Sequence, residues 1–106
     1  MAAEYYTVAT TAELLPGERL IVDIGYHTIA IFNVDGSYYA IKDVCTHDDG
    51  PLADGELIGC EIECPRHFAR FDLRDGSVTA PPAVIPVPVY PVRVTGDDIQ
   101  VEVDVD

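Results

Sequence analysis

Residues 44–71, VCTHDDGPLADGELIGCEIECPRHFARF, carry four metal-binding side chains in two short groups. Cys45 and His47 form a C-x-H pair, Cys64 and His67 a C-x2-H pair, and sixteen residues lie between the pairs. A thiolate and an imidazole so close in sequence are presented by one turn to one side. Two such turns brought together would close a four-donor site suited to a soft or borderline metal centre. Structural zinc is the plainer alternative, but zinc sites of that kind usually use C-x2–4-C followed by a histidine pair. Here each half mixes the two donor types.

Working outward, the segments on both sides read as short strands. Residues 5–9, Arg19–Ile24, Thr28–Val34 and Ser37–Asp43 are rich in β-branched and aromatic residues. Asp35-Gly36 is a hairpin turn, and residues 10–18 (TTAELLPGE) read as a turn or short helical excursion. Downstream, Leu57–Cys64 reads as a hairpin pivoting on Gly59-Cys60, and His67–Leu73 as a strand closed by Asp75-Gly76 and followed by Ser77–Ala80. Val87–Val94 is strand-like but holds Pro88 and Pro91, which restricts it to an edge. Ile99, Val101, Val103 and Val105 alternate with polar residues, the mark of a half-buried strand. No helical period extends over ten residues. The expectation is one all-β domain over residues 1–106, an antiparallel β sandwich or barrel.

The two pairs, in this order and spacing, resemble the Rieske proteins. The resemblance implies the Rieske fold: a basal antiparallel domain with a cluster-binding subdomain of two hairpin loops, here about residues 44–82. It also implies one 2Fe–2S cluster, with Cys45 and Cys64 on the inner iron and His47 and His67 on the outer one. CPRHFARFDLRDG is similar to the C-P-x-H-G-A-x-F-D pattern of ferredoxins from bacterial aromatic-ring-hydroxylating dioxygenase systems of the biphenyl and toluene type. The implied function is a one-electron carrier, not an enzyme in itself. It would take electrons from a flavin-dependent NAD(P)H reductase and pass them to a terminal oxygenase, docking at the His47/His67 tip. The second reading is a small redox-sensing or assembly-linked Rieske protein that feeds no oxygenase.

Departures from related patterns refine this. High-potential Rieske proteins place a serine two positions, and a tyrosine four positions, after the second histidine. Ala69 and Phe71 stand there and offer no hydroxyl to the cluster sulfurs. Gly50 and Arg66 occupy the places of that group's cross-loop disulfide. Both differences imply a potential on the order of −150 mV, near the low end of the range. Phe68 replaces the usual glycine after the second histidine; a positive φ there would bring strain, and the ring would otherwise add an apolar contact beside His67. Pro81-Pro82 is either the proline loop that shields the cluster in this family or simple turn punctuation.

With 19 acidic and 6 basic residues the formal net charge is −13, which disfavours nucleic acid and anionic membranes and steers towards a basic partner. Six of the acids fall within residues 48–63, where there is no base. Arg66, Arg70 and Arg74 read mainly as charge balance, and His27 as an ordinary surface histidine. The third cysteine, Cys60, reads as an exposed thiol away from the cluster; an odd free thiol suits a reducing compartment. No apolar run is long enough to span a bilayer, and no signal peptide is evident. The expectation is a cytoplasmic monomer.

Overall fold

The structure, a computed structural model, describes residues 3–46 and 50–104. His47, Asp48, Asp49 and Val105 lie outside the described residues, and with them the expected position of the first imidazole. Among the described residues eleven strands follow in order: β1 (Ala3–Thr10), β2 (Arg19–Ile24), β3 (His27–Val34), β4 (Ser37–Lys42), β5 (Glu56–Ile58), β6 (Glu61–Glu63), β7 (Arg70–Asp72), β8 (Val78–Ala80), β9 (Val89–Tyr90), β10 (Val92–Thr95) and β11 (Asp98–Asp104). They form three antiparallel sheets, ordered β1-β11-β10, β2-β3-β4-β9 and β5-β6-β7-β8. Among the described residues there is no helix, and so none long and apolar enough to cross a membrane.

Strand β3 holds the layers together because it is buried on both faces. Ile29 and Ile31 point into a core shared with Leu14, Ile99, Val101 and Val103. Ala30 and Phe32 point the other way, into a core with Ile41, Leu52, Ile62, Phe71 and Leu73. A strand covered on both sides reads as a continuous apolar run, as HTIAIFNV does. Each large side chain fully buried there contributes about 1.5–3 kcal/mol. Asn33, also buried, bonds the Leu14 carbonyl through Nδ2 (2.9 Å) and accepts the Gly36 N–H (2.8 Å), so its polar atoms are satisfied.

Turn chemistry sets the hairpins. Asp35 and Gly36 both have positive φ (52° and 93°), the requirement of a type I′ turn. At Gly59-Cys60 only the glycine does (φ 58°), the pattern of a II′ turn, which leaves an ordinary φ for the cysteine.

Most strand ends lie within a residue or two of the expected ones, and two segments differ by more. The strand anticipated over His67–Leu73 shrinks to Arg70–Asp72, because the chain is still turning through Phe68, whose φ is 64°. The segment Val87–Val94 divides at Pro91. Val89–Tyr90 pairs with the edge of β4, whereas Val92–Thr95 pairs with β11. Pro91 has no N–H to give, and its carbonyl accepts the Glu102 N–H at 2.9 Å. Both pieces lie on sheet edges, as proline demands, and together they stitch one sheet to the other.

Candidate metal centre

The first donor loop leaves β4 at Asp43. The Asp43 carboxylate oxygen Oδ1 accepts the N–H groups of Leu52 and Ala53, both at 2.8 Å, and so closes the base of the loop. Within it, Cys45 N–H donates to the Gly50 carbonyl at 2.6 Å. Arg19, reaching up from β2, donates through Nη1 to the carbonyls of Ala53 (2.6 Å) and Gly55 (2.5 Å), with its guanidinium 5.4 Å from the centre of the Phe32 ring. Sequence reading missed both anchors. Asp43 immediately before the loop was the available signal, since Asp commonly collects backbone N–H groups at turns; Arg19 had none.

The second donor loop joins β6 to β7. Cys64 N–H donates to the Ala69 carbonyl (2.6 Å), and Phe68 N–H to the Cys64 carbonyl (2.9 Å). This six-residue closure turns Pro65, Arg66, His67 and Phe68 outward while Cys64 and Ala69 stay buried. A third loop, residues 81–87, lies against the first: Thr46 Oγ1 donates to the Ile85 carbonyl at 2.5 Å. Pro81 and Pro82 are exposed, and it is Ala83 and Val87 that enter the core.

Cys45 and Cys64 both have no exposed surface and share one apolar core with Leu52, Ala69, Ala83 and Val87. His67 is exposed at the tip of its loop. Two thiols deep and an imidazole outward is the order a 2Fe–2S cluster needs if sulfur holds the inner iron and nitrogen the outer. Among the described residues no three His, Cys, Asp or Glu side chains converge as they would on a single ion. A di-iron unit takes its donors in pairs over two metals, and two buried cysteines from different loops with an imidazole outward are donor types that fit it.

The surroundings of Cys64 contain one donor and two gaps. Arg66 Nη2 lies 3.5 Å from Cys64 Sγ and 3.2 Å from the Pro51 carbonyl oxygen. Ala69 and Phe71, wholly buried, bring no hydroxyl. A Cβ on Gly50 would collide with the Arg66 guanidinium, so glycine makes room for that side chain. Arg70 pairs across the ladder with Glu63 (2.9 Å), and Arg74 with Asp72 (2.7 Å); for these two, charge balance holds.

Phe68 takes the left-handed conformation (φ 64°) with its side chain 65% exposed. For an L-residue with a bulky side chain this costs about 1–2 kcal/mol.

Two single-residue expectations are corrected. Cys60, expected to be exposed, is half-buried and packs against the core, where its carbonyl accepts the Leu73 N–H at 2.8 Å, and burial pushes its thiol pKa up. His27 is no bare surface residue: Nδ1 lies 3.0 Å from the Tyr90 hydroxyl and Nε2 2.9 Å from the Asp104 carbonyl, tying β3 to β9 and β11.

Residues 4–91 match the family described as "Rieske [2Fe-2S] domain". The chain is 42% identical over 91 residues to the biphenyl dioxygenase ferredoxin subunit of Pseudomonas sp. (strain KKS102), covering 85% of this chain and 84% of that one. Its fold superposes with TM-score 0.87 on the ferredoxin of carbazole 1,9a-dioxygenase from Nocardioides aromaticivorans IC177, at 38% identity, covering 92% of this chain and 95% of the other. The same score is reached, at 31% identity and with 92% and 91% coverage, against a chain from a complex of reduced oxygenase and oxidized ferredoxin in carbazole 1,9a-dioxygenase.

Proposed function

The chain belongs to the Rieske [2Fe-2S] domain family, and from that premise we propose that it carries single electrons from a flavin-dependent NAD(P)H reductase to a terminal ring-hydroxylating oxygenase. It is an electron-transfer component, not a catalytic subunit. The observation that carries this reading is the burial of Cys45 and Cys64, from two different loops, in one apolar core, with His67 outward. We assign Cys45 and Cys64 as ligands of the inner iron, His67 and His47 as ligands of the outer one, and residues 44–82 as the cluster-binding unit.

When bound, the cluster supplies a one-electron couple whose two imidazole ligands raise its potential above that of a four-cysteine centre. The rest is the work of the chain. Leu52, Ala69, Ala83 and Val87 keep water from the sulfur side. Ala69 and Phe71 withhold the hydroxyl bonds that would favour the reduced state, which supports a potential on the order of −150 mV. His67 at the exposed tip shortens the path to a docked partner. Net charge of −13 favours partners with basic faces. We place the protein in the cytoplasm as a monomer.

The purified protein should be red-brown, hold iron and acid-labile sulfide in equal amounts, and give a Rieske-type EPR signal after dithionite reduction. Preparations that stay colourless and carry zinc would overturn the cluster assignment. Reduction by NADH and a dioxygenase-system reductase, followed by oxidation by a terminal oxygenase, tests the carrier role. A cluster that reduces normally yet delivers no electron would leave the redox-sensing reading instead.

A further inference from the structure

Phe68 stands in a backbone conformation that bulky L-residues rarely adopt (φ 64°), yet its ring is 65% exposed and draws little packing in return. The loop itself imposes that φ: the bonds Cys64 N–H to Ala69 O and Phe68 N–H to Cys64 O close the turn around this residue. Glycine adopts this conformation without strain, so a cheaper choice of residue exists. A strained, exposed aromatic in a loop that otherwise holds a metal ligand points to a role outside the folded chain. The ring sits next to His67 in sequence, on the exposed side of the same turn.

It is not the sole apolar group at that end. Val84 (85% exposed) and Ile85 (59%) project from the loop whose Ala83 and Val87 are buried with Cys45 and Cys64. Thr46 holds the Ile85 carbonyl against the first donor loop. Two loops that close over one core thus both turn large apolar side chains to solvent. The formal net charge is −13; Asp54 and Glu56 are exposed, Arg70 and Arg74 are taken up by Glu63 and Asp72, and the guanidinium of Arg66, in the same turn as Phe68, is turned to the Cys64 sulfur and the Pro51 carbonyl.

We propose that Phe68 is the apolar anchor by which this protein docks on its terminal oxygenase, seated in an apolar socket ringed by basic side chains. The proposal rests on the carrier reading above. A transient interface whose affinity depends on one central aromatic and a charged rim combines fast exchange with selectivity. Phe68 would therefore set which oxygenase is served, while the ligands set the potential.

The test uses the cluster-loaded protein and the terminal oxygenases of the biphenyl and p-cumate dioxygenase systems. Dissociation constants and single-turnover electron-transfer rates are measured for wild type, Phe68→Gly, Phe68→Asn and Phe68→Leu. Glycine and asparagine accept the left-handed conformation without the apolar ring. Both should melt at a higher temperature than wild type or equal to it, and keep its reduction potential. Both should bind and transfer on the order of tenfold or more weakly, with leucine restoring much of the loss. Phe68→Gly docking and transferring as well as wild type would overturn the proposal and leave the carrier reading intact. Wild type delivering no electron to either oxygenase, with a normally reducible cluster, would fell that reading and the proposal with it.

Discussion

Arg66 touches both donor loops at once: its Nη2 lies 3.5 Å from Cys64 Sγ and 3.2 Å from the carbonyl of Pro51. In high-potential relatives a disulfide spans this gap; here a guanidinium does. A cationic N–H donor at a ligand sulfur stabilises the more negative, reduced state. Arg66→Met should therefore lower the reduction potential by about 30–60 mV, half to one power of ten for one electron, as read by a redox titration followed by circular dichroism. Gly50→Ala should act in the same direction, because its methyl group displaces the guanidinium. The double variant should add little to Arg66→Met alone, since both remove one interaction.

Ala69 and Phe71 define a second adjustable term. Both are fully buried in the core that holds Cys64. A hydroxyl introduced there would have a strong, charged sulfur acceptor once the cluster is loaded. Ala69→Ser and Phe71→Tyr should each raise the potential by tens of millivolts. In the metal-free chain the same hydroxyl is a buried polar group with only the weak acceptor of a cysteine sulfur at hand, costing about 1–3 kcal/mol. Opposite signs in the two measurements, potential up and apo stability down, would identify the hydroxyl as a cluster donor; a potential unchanged in both variants would refute it.

The Cys–His spacing pointed to the two loops whose cysteines the fold buries in one core, because such pairs are local in sequence, and the hairpins were legible because two-residue turns declare themselves through Asp-Gly or a lone glycine. What stayed hidden is what depends on distant partners. Arg19 reaches carbonyls more than thirty residues away, and no local pattern signals such a reach. His27 looked like a surface residue because Tyr90 and Asp104, which enclose it, arrive from the far end of the chain. The division of Val87–Val94 at Pro91 was invisible for a related reason: periodicity shows that a segment is extended, not that its halves pair with different sheets.

Cys60 combines partial burial with an acidic neighbour. Desolvation is the main cause of its raised thiol pKa, the Tyr39 hydroxyl bond opposes it, and Asp72 adds to it. A thiol whose folded pKa exceeds its unfolded one adds stability below the unfolded pKa, and that contribution is lost as pH rises through the folded value. At pH 7–8 the thiolate fraction should lie below that of a free cysteine. Alkylation of the cluster-loaded protein by iodoacetamide should thus be slower at neutral pH than that of a free cysteine, with its rise displaced to higher pH. Rapid labelling at pH 7 would contradict this placement.

Gly76 decides whether the loop over the donors can close. Its φ is 78°, its carbonyl accepts the Val87 N–H at 2.9 Å, and a Cβ there would run into the Val87 carbonyl oxygen. Alanine meets three penalties: a left-handed backbone, a collision with main chain, and a weakened hydrogen bond. Together they come to about 2–4 kcal/mol. Gly17 provides the control, with φ 86° and open space around its Cβ position; there alanine should cost only about 1 kcal/mol. Urea denaturation of the two variants separates backbone strain from steric clash. Since Val87 shares one buried core with Cys45 and Cys64, Gly76→Ala should also bleach faster in air than Gly17→Ala once loaded with the cluster. Equal bleaching rates would mean that residues 81–87 do not protect the site.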